Sequence, residues 1–157
     1  MAFKYTQGFY KIKNPEKYKG DTNQIVYRSS YELKFMNFLD QHPNVLKWAS
    51  EEIAIPYIWN GERHRYFVDF YVEFKAKDGS TRKMLVEIKP YQQTQPPKAP
   101  QRKTRKSLET YQNAILTYTK NVAKWEHAKD FCERNGANFV VLTENELFKS
   151  SKWLIKK

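Results

Sequence analysis

Asp69, Glu87 and Lys89 are the residues of this chain best placed to do chemistry. They fall in two short stretches that read as facing strands, Tyr66 to Val72 and Met84 to Pro90. Strand side chains alternate between faces, so Asp69 shares a side with Phe67 and Tyr71, and Glu87 with Leu85 and Lys89. Lys77-Asp78-Gly79-Ser80 supplies a hairpin turn between the two. Antiparallel pairing then merges Val68, Phe70, Val72, Val86 and Ile88 into one apolar face. The two carboxylates and the ammonium gather on the other face, near the end of the second strand. Such a cluster is a candidate site for metal-dependent hydrolysis.

Hydrolysis of a phosphodiester needs an activated water, charge compensation in the transition state and help for the leaving oxygen. One or two Mg²⁺ (or Mn²⁺) ions supply all three. Magnesium takes oxygen ligands, usually one or two carboxylates, and keeps several waters. Asp69 and Glu87 meet that need, and the Ile88 backbone carbonyl between Glu87 and Lys89 could add a ligand. Lys89 could deprotonate the water only with a lowered pKa, which two nearby carboxylates oppose. Its assignment is therefore to position the water and to balance charge. The same residues also read as a cross-strand salt bridge on a wet sheet face, worth about 0.2–1 kcal/mol. Spacing alone favours that plainer reading.

Other elements must position this cluster. Tyr31, Phe35, Phe38 and Leu39 share one helical stripe, which predicts a helix from Ser29 or Ser30 to about Asp40, ended by Pro43. Glu32 in its first turn fits a capping box with Ser29, and is equally a carboxylate available to a metal. Residues 51–59 read as an edge or bulged strand containing Pro56. Asn60-Gly61 turns this strand into the Asp69 strand, giving a three-strand meander. Leu108, Tyr111, Ile115, Tyr118, Val122, Trp125 and Ala128 predict a long amphipathic helix over 104–135, with Gly136 as its left-handed stop. Its stripe, which includes Cys132, is expected to cover the apolar face of Val68, Phe70, Val86 and Ile88. Phe139 to Leu142 reads as a buried strand joining the sheet in parallel, and Thr143 to Glu146 as the capping box of a short last helix. The order is helix, three-strand meander, long helix, strand, helix: an α/β fold with a mixed sheet. Trp153 to Lys157 finds no place in it.

The remaining stretches are basic. Residues 1–24 read as an extended arm, laid along a phosphate backbone or simply solvated. The stretch from Pro90 to Pro100 holds four prolines, which neither a helix interior nor a strand interior would accept. Lys98, Arg102, Lys103, Arg105 and Lys106 follow within this loop over 90–106 and form a candidate DNA clamp, or else a solvated linker. At 157 residues the expectation is one domain, with its core over 25–150. The net charge of +11 calls for a polyanionic partner, nucleic acid rather than a membrane. No apolar run approaches the roughly 20 residues that span a bilayer. One cysteine excludes an internal disulfide and fits a reducing compartment. Most of the abundant aromatics fall at core-like spacings rather than as base-stacking platforms.

Asp69 followed by Glu87-Ile88-Lys89 on the next strand resembles the PD-(D/E)xK nuclease signature, with Val68 where the proline would stand. Its flanks narrow the resemblance. Tyr27 to Glu32, Asp40, Pro43-Asn44-Val45, Trp48, Ser50-Glu51, Ile55-Pro56-Tyr57 and Arg65 to Phe70 together are similar to TnsA-like transposase endonucleases. They are more similar still to the head-completion nuclease family of T-even-type tailed phages. The resemblance implies a restriction-endonuclease-like core and a Mg²⁺-dependent DNA endonuclease with no small-molecule cofactor. Asp69 and Glu87 would be metal ligands, Lys89 the catalytic lysine and Glu32 the helix carboxylate completing the site. Arg28, in the Tyr27 to Glu32 flank, joins the expected DNA contacts. It further implies action on DNA ends after packaging, in host cytoplasm and virion, near portal or neck proteins. A transposon-end or junction endonuclease, or a silent DNA-binding neck protein, are the competing readings.

Overall fold

Ser29 and Thr104 open the two main helices, and Gly136 closes the longer one, in a computed structural model that describes residues 6–149. Ser29 is extended and its hydroxyl accepts the Glu32 N–H at 3.1 Å. The Thr104 hydroxyl accepts the Ser107 N–H and the Ser107 hydroxyl accepts the Thr104 N–H, a complete capping box. Gly136 has φ +68°, the left-handed conformation that ends a helix at little cost for glycine. In chain order the elements are β1 (Gly8–Phe9), β2 (Val26–Tyr27), α1 (Ser30–Gln41), β3 (Val45–Ser50), β4 (Ala54–Trp59) and β5 (Glu62–Phe67). Then follow β6 (Phe70–Lys75), β7 (Thr81–Ile88), α2 (Arg105–Arg134), β8 (Asn138–Leu142) and α3 (Glu144–Lys149). Trp153 to Lys157 lie outside the described residues. No described helix is long and apolar enough to cross a membrane.

One sheet has the strand order β3-β6-β7-β8, antiparallel except for the parallel pair β7/β8, so the fold is α/β with a mixed sheet. The meander exists, but its first strand is Val45–Ser50 rather than residues 51–59. The backbone explains the difference. Glu51 has φ 55°, a conformation non-glycine residues rarely adopt, and it turns the chain out of the sheet. Residues 54–67 then form a separate two-stranded ribbon, β4–β5, turned by Asn60 and Gly61 at φ 51° and 75°. The stretch read as one strand from Tyr66 to Val72 is therefore split at Val68-Asp69. The Val68 N–H bonds the Ile53 carbonyl and the Glu51 N–H bonds the Asp69 carbonyl, which fixes the junction.

Both faces of the sheet are buried, as a sheet with a parallel crossover requires. On one side Phe70, Val72, Met84 and Val86 pack with Tyr31, Phe35, Met36 and Leu39 of α1. On the other, Leu85 and Val68 join Ile55, Tyr57 and Tyr66 of the ribbon under Ala128 and Cys132 of α2. The long helix thus covers Val68 but not Phe70, Val86 or Ile88, which belong to the α1 side. Period-2 alternation is the reason: Leu85 and Glu87 share the face that α2 covers, and that face is not wet. Only Ala128 and Cys132 of the predicted stripe are fully buried, and Leu108 at its start is 40% exposed.

The basic N-terminal stretch, from Gly8 onward, is folded rather than an extended arm. β1 pairs with β2, and Asp40 at the end of α1 ties down the segment between them. The wholly buried Asp40 accepts the Tyr10 hydroxyl at 2.7 Å and the Lys13 and Asn14 N–H groups at 2.8 and 2.9 Å. Burial pushes the Asp40 carboxyl up, but these donors outweigh it and hold its pKa below the usual value. The Lys17 ammonium caps the last carbonyls of α1, at Leu39, Asp40 and His42. Asp40→Ala strands these three donors of Tyr10, Lys13 and Asn14, and should lower stability by about 3 kcal/mol in guanidinium unfolding at neutral pH. An unchanged midpoint would show that Asp40 is not what secures this segment.

Candidate active site

Asp69 stands at the junction where the ribbon re-enters the sheet, and its side chain is fixed from the neighbouring strand. The Ile88 N–H donates to Asp69 Oδ2 at 2.8 Å. Because Phe70 faces Val86 in the register, Asp69 lies opposite the end of β7, where Glu87 sits. Glu87 is only 5% exposed. Its Oε2 accepts the Tyr66 hydroxyl, and the Lys89 ammonium lies 3.6 Å from its Oε1. Glu32 reaches back from α1 as a capping glutamate does, but its Oε2 accepts the Arg28 N–H at 2.6 Å rather than that of Ser29. The Arg28 guanidinium pairs with Glu51. Arg28, Glu32, Asp69, Ile88 and Lys89 line a cleft of about 330 Å³ together with Gln7, Ser29, Pro90 and Gln93. Glu87 is not on that wall and sits behind it, between Tyr66 and Lys89.

The electrostatics show an anionic cluster short of positive charge. Burial, then the charges of Glu87 and Glu32, drive the Asp69 carboxyl well above the usual range, against the Ile88 N–H and Lys89. Burial raises Glu87 too, opposed by Lys89, Tyr66 and Lys124. Burial also raises Glu32, and the negative charges of Glu51 and Glu87 add to it against Arg28. Asp69 and Glu32 are thus both raised by the charge of Glu87, a field that a divalent cation would relieve. Among the described residues no three Asp, Glu, His or Cys side chains close a metal cage by themselves. Magnesium does not need one, since one or two carboxylates, a carbonyl and water satisfy it. Asp69, with Oδ1 lacking a hydrogen-bond donor among the described residues, suits that ion and shares the cleft wall with Glu32 and Ile88. Glu87 could reach it only from behind that wall, where its oxygens meet Tyr66 and Lys89.

Two residues of the site escaped the sequence reading. Tyr66 belongs to the ribbon, so its hydroxyl reaches Glu87 only because the chain breaks at Asp69. Lys124 comes from α2, with its ammonium 5.6 and 5.8 Å from the ring centres of Tyr66 and Tyr57. Burial lowers its pKa, and its charge acts on Glu87 and Asp69. The only signal was its place beside Trp125 at the margin of the helical stripe. The expected DNA contacts divide. Arg28 is on the cleft wall, whereas Lys98, Arg102, Lys103, Arg105 and Lys106 are exposed along the loop and the first turn of α2. Lys98 and Lys106 line a different hollow of about 460 Å³.

The sequence profile of the TnsA-like endonuclease N-terminal family matches residues 42–144, a stretch that contains Asp69, Glu87, Lys89 and Lys124 but not Glu32. A curated relative, the head completion nuclease of Enterobacteria phage T4, is 39% identical over 137 residues. That alignment covers 86% of this chain and 89% of the phage protein.

Proposed function

This chain belongs to the TnsA-like endonuclease family, and from that premise we propose a Mg²⁺-dependent DNA endonuclease that completes phage heads, acting on DNA or DNA ends at the head–tail vertex after packaging. Relatives of this family generally need a divalent metal, and a net charge of +11 suits a polyanionic substrate such as DNA. The observation that carries the reading is the convergence of Asp69, Glu87 and Lys89 at one end of β7, with two carboxyls held above their usual pKa by burial. Asp69, Glu87 and the Ile88 carbonyl would hold the ion, with Glu32 beside them. A divalent ion there supplies an activated water and charge compensation at the phosphorus. Lys89 orients the water and offsets charge developing on the phosphate. Tyr66 and Lys124 hold Glu87 in place from behind. Arg28 and the basic stretch from Lys98 to Lys106 grip the DNA backbone. The near full-length identity to a head completion nuclease favours this role over cutting at transposon ends. In that role the protein would act in host cytoplasm and virion, beside portal or neck proteins.

The direct test is to incubate the purified chain with linear, nicked and branched DNA. Cleavage should appear with Mg²⁺ or Mn²⁺, stop with a chelator and resume when the ion is restored. Failure to cut any of these substrates under any divalent ion would refute the nuclease reading.

A further inference from the structure

The outer face of the β4–β5 ribbon has a composition that the site itself does not use. Burial alternates along both strands: Ile55, Tyr57 and Tyr66 point inward, while Pro56, Ile58, Arg63, Arg65 and Phe67 are exposed. The register sets Ile58 opposite Arg63 and Pro56 opposite Arg65, so these side chains form one continuous face. Ile58 and Phe67 are 56% and 48% exposed, unusually high for large apolar side chains. The Arg65 guanidinium lies 5.3 Å from the Phe67 ring centre. Glu62, the one acid of the ribbon, falls on the other face beside His64. Among the described residues neither Arg63 nor Arg65 has an acidic partner. Solvated surfaces interleave both signs and scatter their apolar groups; this face does neither.

We propose that this face binds duplex DNA beside the bond to be cut. The inference rests on DNA being the substrate, and adds a second grip to the basic stretch before α2. A two-stranded ribbon fits the major groove, and arginine forks match phosphate oxygens. Stacking on Phe67 orders Arg65 before DNA arrives, which lowers the entropy lost on binding. Chain continuity ties the face to the chemistry. Phe67 precedes Asp69 by two residues, about 7 Å of extended chain, and Tyr66 on the inner side of the same strand holds Glu87. A second copy of this chain is a poor occupant, because at a net charge of +11 it would set arginine against arginine.

The test is binding of a short labelled duplex, followed by anisotropy across a salt series with metal chelated so that nothing is cut. The Arg63→Ala/Arg65→Ala variant should bind about tenfold more weakly. Its slope of log K against log salt should be shallower by about 1.8, or 0.9 for each phosphate lost. Phe67→Ala should weaken binding by a smaller factor. Lys75→Ala/Lys77→Ala removes equal charge from the exposed β6–β7 turn and should change binding little. These exposed positions carry little of the fold's stability, and an unchanged thermal melt checks that each variant is folded. Wild-type affinity and slope in the arginine variant, while the wild type binds and cuts, would overturn the ribbon surface and leave the nuclease reading standing. An equal loss in the turn variant, or an arginine variant changed only in self-association, would overturn it as well. A wild type that neither binds nor cuts would bring down both readings.

Discussion

Asp69→Asn is expected to cut DNA at least about a thousandfold more slowly than the wild type, yet to be the more stable protein without metal. The substitution is almost isosteric. Its side-chain carbonyl can still accept the Ile88 N–H, so the β6–β7 junction keeps its geometry. What disappears is the negative charge. In the metal-free chain that charge is buried and repelled by Glu87 and Glu32. Removing it relieves a strain that function imposes, by about 1 kcal/mol. Loss of activity with a gain in melting temperature separates a ligand from a structural residue. Equal cleavage rates would sink the assignment, and a fall in melting temperature would show Asp69 to be structural.

The same charges fix the pH dependence of stability. A carboxyl whose pKa is higher folded than unfolded binds more protons in the folded state, so stability falls as pH rises through that interval. Asp69, Glu87 and Glu32 are all of this kind. Asp40 is the opposite: its stability is present above the ordinary carboxyl value of 3.8 and is lost as pH falls through its lowered one. The metal-free protein should therefore gain stability on acidification from neutral pH, and lose it again below about pH 4. Asp69→Asn should flatten the first limb and leave the second. Denaturant unfolding across pH, with a chelator present, measures both limbs.

The elements legible in the sequence were those with local causes. Ser29, Thr104 and Gly136 bound the helices by their own hydrogen bonds and φ, and Asn60-Gly61 and Asp78-Gly79 mark turns that require positive φ. Glu87-Ile88-Lys89 was readable because its spacing is set by one strand. Three features were not, for non-local reasons. The pattern Val45-Leu46-Lys47-Trp48-Ala49-Ser50 breaks period 2, since the register shifts between Val45 and Lys47 and both Trp48 and Ala49 are buried. No property of Tyr10, Lys13 or Asn14 announces Asp40, which lies more than 25 residues away at the other end of their hydrogen bonds. Lys124 looks like any helix lysine until the ribbon brings Tyr57 and Tyr66 beneath it.

Lys89→Ala should lower the maximal cleavage rate by about a thousandfold with little change in DNA affinity. Its side chain lines the cleft and is a quarter exposed, and its ammonium lies 3.6 Å from Glu87, so it can serve both the acid and the incoming phosphate. The variant should fold, because Glu87 keeps the Tyr66 hydroxyl and the nearby charge of Lys124 after Lys89 is gone. Binding should persist because Lys89 is one cation among many on a chain of net charge +11. Lys89→Arg distinguishes the roles within the rate loss. Arginine carries the charge but not the compact ammonium, and it does not give up a proton. Partial recovery would assign Lys89 to charge balance in the transition state. Recovery of nothing would assign it to placing or deprotonating the water, where the position of a single nitrogen decides the rate. A loss seen in Kd alone, with the maximal rate intact, would move Lys89 out of the reaction and into the DNA grip.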